Sequence, residues 1–264
     1  VILVGYWATF AAYRAPAASV DSTTLGLPAD WPRLQGFAAH WEKHSNVAAR
    51  FDHWFLNLFP REDGKPYTLN KGGYATLSFI PSLATMILGL LAGELLRGRL
   101  SAGRKLLILL AAGVVGLGVG WGLGLLGVCP VVKRIWTPSW VLYSAGWSLL
   151  ALAFFYLVID VARLKKWAFP LVVVGMNSIV IYCIAQLMKP WVRDTMHRHL
   201  GAHVYEVLGR AVYAIRSAAH APAEPGMAEL YGKAFAPMAE ATFFLIFCWL
   251  VCWWMYRRKI FVKI

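Results

Sequence analysis

Three groups of side chains in this sequence have the types and spacing to do chemistry. Arg50, Asp52 and His53 put a cation, a carboxylate and an imidazole within one helical turn, a set able to relay a proton. Asp52 and His53 are therefore the candidates for catalysis, against the plainer reading of a salt bridge beside an interfacial histidine. In Pro130-Val-Val-Lys-Arg-Ile-Trp-Thr-Pro-Ser139, the residues Lys133, Arg134, Trp136 and Ser139 gather cations, an aromatic ring and a hydroxyl on one short connection. Such a set suits a polar or anionic ligand, and it also suits helix anchoring at a bilayer surface. Asn177 and Ser178 form the third group, set in Val-Val-Gly-Met-Asn-Ser-Ile-Val-Ile. An unpaired amide in apolar surroundings costs ~1–3 kcal/mol, so Asn177 must meet either a neighbouring helix or a ligand.

Metal and disulfide chemistry find less support. His40 and His44 lie four apart, and His197, His199 and His203 form a second cluster, but neither has a carboxylate at a defined spacing or an HExxH pattern. No metal cofactor is expected. The four cysteines, Cys129, Cys183, Cys248 and Cys252, make no CxxC signature and no disulfide framework, and they read as packing residues.

The elements that must position these groups follow from composition. Of 264 residues, 59% are hydrophobic and only 15% are charged, and the mean hydropathy is +0.56. That balance belongs to an integral membrane protein. Apolar runs of about 20 residues call for spanning helices, and the ten-residue alternation of an outer-membrane barrel is absent. The fold class is thus all-α, a polytopic transmembrane helix bundle. Five complete spans are expected, at Leu77–Leu96, Leu106–Val128, Trp140–Ile159, Phe169–Met188 and Phe235–Tyr256, with Val1–Tyr13 as a sixth, truncated span. We read 1–264 as a single membrane domain, the carboxy-terminal part of a longer protein, with long outer loops at 14–75 and 189–234.

Net charge of +13 does not point to nucleic acid, because the cations fall into short loops. Arg97, Arg99, Arg104 and Lys105 share one loop; Arg163, Lys165 and Lys166 share another; Arg257, Arg258, Lys259 and Lys263 lie in the tail. Alternating spans place all three on one side, which the positive-inside rule makes cytoplasmic. The carboxy terminus is then cytoplasmic, and Lys133 and Arg134 lie outside. A cytosolic polyphosphate would find Arg97, Arg104, Lys165 or Arg257 nearby, although solvated positive-inside charge explains them equally well.

The outer loops carry amphipathic signals. Val47, Phe51, Trp54, Phe55 and Leu58 share an apolar face in a short helix over 46–58 that Ser45 or Asn46 caps, resting on the membrane surface or the mouth of the bundle. Val204, Val207, Leu208, Ala211, Val212 and Ile215 repeat at helical spacing, ended by Pro222 and Pro225. Within the spans, Gly116, Gly120 and Gly124 recur every four residues with Gly118 and Gly122 between, and Gly89 and Gly93 repeat the spacing. Both stripes read as close helix packing. Pro81 and Gly175 are possible weak points of their spans.

Five passages together resemble the heparan-alpha-glucosaminide N-acetyltransferase family and its bacterial relatives. They are Asn46-Val-Ala-Ala-Arg-Phe-Asp52, the run Gly73 to Gly93, the stretch Pro130 to Ser139, Gly175-Met-Asn-Ser178, and the terminal Tyr256-Arg-Arg-Lys-Ile-Phe-Val-Lys-Ile264. The resemblance implies an enzyme that takes acetyl from cytosolic acetyl-CoA and delivers it to an amino sugar on the opposite, periplasmic or lumenal, face. Lys133, Trp136, Ser139, Asn177 and Ser178 would then be substrate-binding, and Arg97, Arg104, Lys165 and Arg257 would meet the CoA phosphates. The family's essential histidine lies near a His-x-x-Trp-Asn-Gly pattern, which this sequence lacks; we expect that base upstream of Val1. Residue His53, where relatives carry Arg, and the length of 189–233 leave the acceptor open. The expected partners are membrane lipid and a polar acceptor such as an amino sugar, with further copies of the chain an open option, and the expected site is a bacterial inner membrane. A transporter or flippase for a sugar or lipid-linked sugar is the alternative.

Overall fold

The computed structural model describes residues 1–13, 26–28, 30–61, 64–220 and 226–262. Residues 14–25, Pro222, Pro225 and Lys263, on which parts of the sequence reading fall, lie outside the described residues. The described residues form helices and turns with no strand among them. The helices are α1 (Ile2–Ala12), α2 (Val47–Leu56), α3 (Phe79–Arg97), α4 (Ala102–Leu125), α5 (Pro138–Phe155), α6 (Phe169–Gly175), α7 (Ser178–Cys183), α8 (Lys189–Leu200), α9 (Ala202–His220) and α10 (Met227–Arg257). The chain divides into two compact units, Val1–Arg163 and Leu164–Ile264.

The first unit holds three helices long and apolar enough to cross a bilayer. The 24 residues of α4 reach about 36 Å at ~1.5 Å per residue, enough for a hydrocarbon core of roughly 30 Å. α3 begins just inside a 3-10 turn at Thr76–Ser78, and its Pro81 falls in the first turn, where no intrahelical bond is lost. Pro81 is thus no weak point. α5 starts on Pro138 with Thr137 as N-cap and continues through a π turn at Tyr156–Val161. Because α3, α4 and α5 run up, down and up, the start of α3 and the α4–α5 connection share one end of the unit. Arg97, Arg99, Arg104 and Arg163 lie at the other end.

Glycines weld α4 to α5. A Cβ on Gly120 would lie 2.5 Å from the Tyr143 nitrogen and 2.7 Å from the Ser139 oxygen, and one on Gly146 would lie 2.6 Å from the Leu117 nitrogen. Only bare backbones approach this closely. Gly118 and Gly122 face open space, and so do Gly89 and Gly93. The stripe on α3 expected to pack therefore does not; its buried positions are Pro81, Ala84 and Ala92 instead. Identical spacing packs on α4 and not on α3 because only α4 has a facing helix along that line.

α1 joins this unit through its aromatic residues. The Tyr6 hydroxyl donates to the Ile135 carbonyl at 2.9 Å, and Trp7 Nε1 donates to the Val128 carbonyl at 2.9 Å. Tyr6, Phe10, Trp41, Ala48, Cys129 and Ile135 form the core under this end.

In the second unit the expected span Phe169–Met188 is not one helix. α6 and the stretch Ser178–Leu200 meet at a 66° bend. The break follows Gly175, the weak point read from sequence. Asn177 sits in it with φ −131° and ψ 39°, outside the helical well. Beyond it the chain passes through a π turn at Ile184–Met188 into α8, a helix in what reads from sequence as a loop. The expected amphipathic helix appears as α9, and α10 starts eight residues before Phe235. With 31 residues, α10 is about 46 Å long, so it exceeds the apolar core by about ten residues. In this unit α9 packs on the start of α10, where Gly232 lies against Glu206. Among the described residues there are therefore four continuous candidate spans, or five when the bent pair counts as one.

Candidate functional site

The α2 sequence folds as a helix because Asn46 caps it: Oδ1 accepts from the Ala49 nitrogen at 3.0 Å while Nδ2 donates to the Glu42 carbonyl at 2.9 Å. Three faces result. Ala48 and Asp52 are buried against the unit; Asn46, Ala49, Arg50 and His53 turn to a cleft; Phe51, Trp54, Phe55 and Leu58 face away. The Asp52 carboxylate, 3% exposed, accepts from the Thr76 nitrogen at 3.0 and 3.1 Å. It therefore caps the turn that opens α3, where an anion is favourable.

The cleft has a volume of about 1220 Å³ and takes its walls from four parts of the first unit: Gly26, Pro28 and Trp31–Leu34; Trp41–His53; Tyr67–Ala75; and Val131–Ile135. Asp52, His53 and Lys133, separated by up to 81 positions, meet here. Trp136 and Ser139 do not line it. Thr137 Oγ1 donates to the Pro130 carbonyl at 2.8 Å and accepts from the Val132 nitrogen at 3.0 Å, and Ser139 Oγ donates to the same carbonyl at 2.7 Å. Ser139 is fully buried in that knot. Trp136 sits at φ 51°, a left-handed position uncommon for a bulky residue, and its Nε1 donates to Thr85 Oγ1 on α3 at 3.1 Å. Both residues build the connection that presents Lys133 and Arg134.

Two features of the cleft escape sequence reasoning. Glu42, 2% exposed, accepts from the Leu34 nitrogen at 2.6 Å, the Lys43 nitrogen at 2.9 Å and Trp31 Nε1 at 3.3 Å. It is a buried carboxylate in the wall, held by backbone and indole donors. At Gly73, φ 73°, a Cβ would meet Lys43 Cε at 3.0 Å and Arg134 Cδ at 3.5 Å. Two cationic side chains from distant segments thus pass over one residue, whose left-handed backbone favours glycine. The cleft carries positive charge at its mouth and two carboxylates deeper in its walls.

Tyr67 also lines the cleft. Asn57 at the end of α2 holds it, Nδ2 donating to the Tyr67 carbonyl at 3.0 Å and Oδ1 accepting from the Tyr67 nitrogen at 2.7 Å. Burial, and then the charge of Asp52, hold its phenol above the usual tyrosine range.

Asn177 and Ser178 belong to the second unit. Asn177 is fully buried: Nδ2 donates to the Ile260 carbonyl at 3.1 Å and Oδ1 accepts from the Val262 nitrogen at 3.1 Å. The amide holds the tail beyond α10 as a neighbouring strand would. Ser178 is exposed. Of the cations expected to meet a polyphosphate, Arg97 and Arg104 are exposed in the first unit, and Lys165 and Arg257 are exposed in the second. Arg257 lies over the Trp253 ring at 5.5 Å. Among the described residues no three His, Cys, Asp or Glu side chains gather around one point.

The class defined so far is a helical integral membrane protein with a polar cleft at one end of its first unit. No family model matches the chain, and no curated protein is significantly similar to it.

Proposed function

We propose that the protein is a transmembrane N-acetyltransferase that carries acetyl from acetyl-CoA on the cytoplasmic face to an amino sugar on the other. One observation carries the reading. Three of the passages behind the resemblance, Asn46–Asp52, Gly73 and Val131–Ile135, contribute walls to a single cleft. The other two, Gly175–Ser178 and the terminal tail, are joined through Asn177.

In the reaction the bound ammonium first gives one proton to a base; the amine nitrogen then attacks the thioester carbonyl, the C–S bond breaks, and a second nitrogen proton passes to the departing thiolate, so that CoA leaves as a thiol. The cleft is the acceptor end. Glu42 and Asp52 draw the sugar's ammonium group inward, and Lys133 and Arg134 bind its hydroxyl or acidic oxygens. His53, exposed on the cleft face of α2, and Asp52 beside it in the wall are the candidates for proton movement in this chain. Arg97 and Arg104 in the first unit, and separately Lys165 and Arg257 in the second, are the cations offered for the CoA phosphates, in an inner membrane with the carboxy terminus cytoplasmic.

The discontinuous helix in the second unit favours the second reading, transport of a sugar or lipid-linked sugar, because transporters place such breaks at their sites. Proteoliposomes separate the two. With labelled acetyl-CoA on the side of Arg97 and amino sugars on the side of Lys133, acetylated sugar supports transfer, and passage of unmodified sugar supports transport. Neither outcome occurring would remove both readings for this chain.

A further inference from the structure

The face of α2 turned away from the cleft is a ladder of rings. Phe51 stacks on Phe55 at 5.3 Å, Trp54 meets Phe51 edge-on at 5.7 Å, and Phe59 continues the series 5.3 Å from Phe55. Trp54, Leu58 and Phe59 are 59%, 58% and 56% exposed. In water such a patch is costly, at roughly 25 cal/mol per Å² of apolar surface.

The depth of this patch is fixed by the structure. The two Asp52 contacts tie α2 to Thr76, the residue at which the α3 span opens. From there α3 exposes Phe79, Leu83, Met86 and Leu90, the apolar surface of a span. Tied to the first residue of that span, the aromatic ladder sits at its polar boundary, the level at which tryptophan is enriched in membrane proteins. At the same end, Arg50, Lys133 and Arg134 are exposed and complement acidic headgroups.

We infer that α2 is embedded in the leaflet at this end, with Phe51, Trp54, Phe55, Leu58 and Phe59 at the boundary between headgroups and acyl chains. The partner of this surface is lipid. Since the neighbouring face of the same helix lines the cleft, the cleft opens at headgroup depth and not into bulk water. This holds whether or not the cleft transfers acetyl groups.

The test places a photoreactive p-benzoylphenylalanine singly at Trp54, Leu58 and Val115 in the full chain, reconstituted in phosphatidylethanolamine and phosphatidylglycerol vesicles. Val115, 61% exposed on α4, calibrates the lipid reaction. After irradiation, intact-protein mass is expected to show phospholipid adducts at Trp54 and Leu58 at a yield within about threefold of that at Val115. Adducts at Val115 with none at the other two would overturn the inference, as would a cross-linked dimer formed through Trp54 or Leu58.

Discussion

Replacing Gly120 with alanine tests the welding of α4 to α5 most directly. The added Cβ would lie 2.5 Å from the Tyr143 nitrogen, 2.7 Å from the Ser139 oxygen and 2.9 Å from the Tyr143 Cα. All three atoms are backbone, so no side-chain rotation relieves the overlap. The helices must separate by roughly 1 Å to reach ordinary contact, and overpacking of this kind costs ~1–3 kcal/mol. Gly118, on the open face, is the internal control. There alanine meets no atom within 4 Å, and it gains the helix preference of alanine over glycine, ~0.5–1 kcal/mol. Opposite signs are therefore expected from one substitution two residues apart. In detergent micelles, Gly120→Ala should lower the unfolding midpoint by several degrees, at about 2–4 °C per kcal/mol for a unit of this size. Gly118→Ala should leave the midpoint unchanged or raise it. Equal midpoints for the two variants would refute the argument that backbone contact sets this helix pair.

Asn177→Ala removes two hydrogen bonds to the tail at a cost of ~1 kcal/mol each, so exchange of the Val262 amide should accelerate by roughly thirtyfold in a hydrogen-exchange measurement. Glu42→Ala leaves the donors of Trp31, Leu34 and Lys43 without their acceptor; a loss of ~2–3 kcal/mol is expected, with faster proteolysis across 31–45. Tyr67 should ionise above the usual tyrosine range, and Asp52→Asn should lower that value by removing one of its causes, read by fluorine NMR of a fluorotyrosine at position 67. A raised folded-state pKa means that the phenol's contribution to stability is complete below its unfolded pKa. That contribution is lost as pH rises through the folded value.

Hydropathy located the α3, α4 and α5 spans to within a few residues because the bilayer imposes a length on any apolar run. The break at Asn177 was harder to read. Apolar residues flank it on both sides, and what holds it open is a tail 83 to 85 positions away. A similar distance hid the site. Asp52 and His53 were visible as a triplet with Arg50, and Lys133 as a misplaced charge, but only folding shows that they share a cleft. Glu42 gave no signal at all, since its partners lie in an aperiodic loop. Gly89 and Gly93 mislead for the converse reason: small-residue spacing states that a helix can be approached and says nothing of whether another helix is there.

The α4–α5 contact also divides the first unit kinematically. Two helices in backbone contact at Gly116, Gly120 and Gly146 cannot slide or rotate past one another without collision, so they move as one body. Thr137 and Ser139 knot their connection, which makes Lys133 and Arg134 part of the same body. Any opening or closing of the cleft therefore falls to the opposite wall. That wall is α2 and the loop over Gly73, the parts of the cleft that lie outside this body.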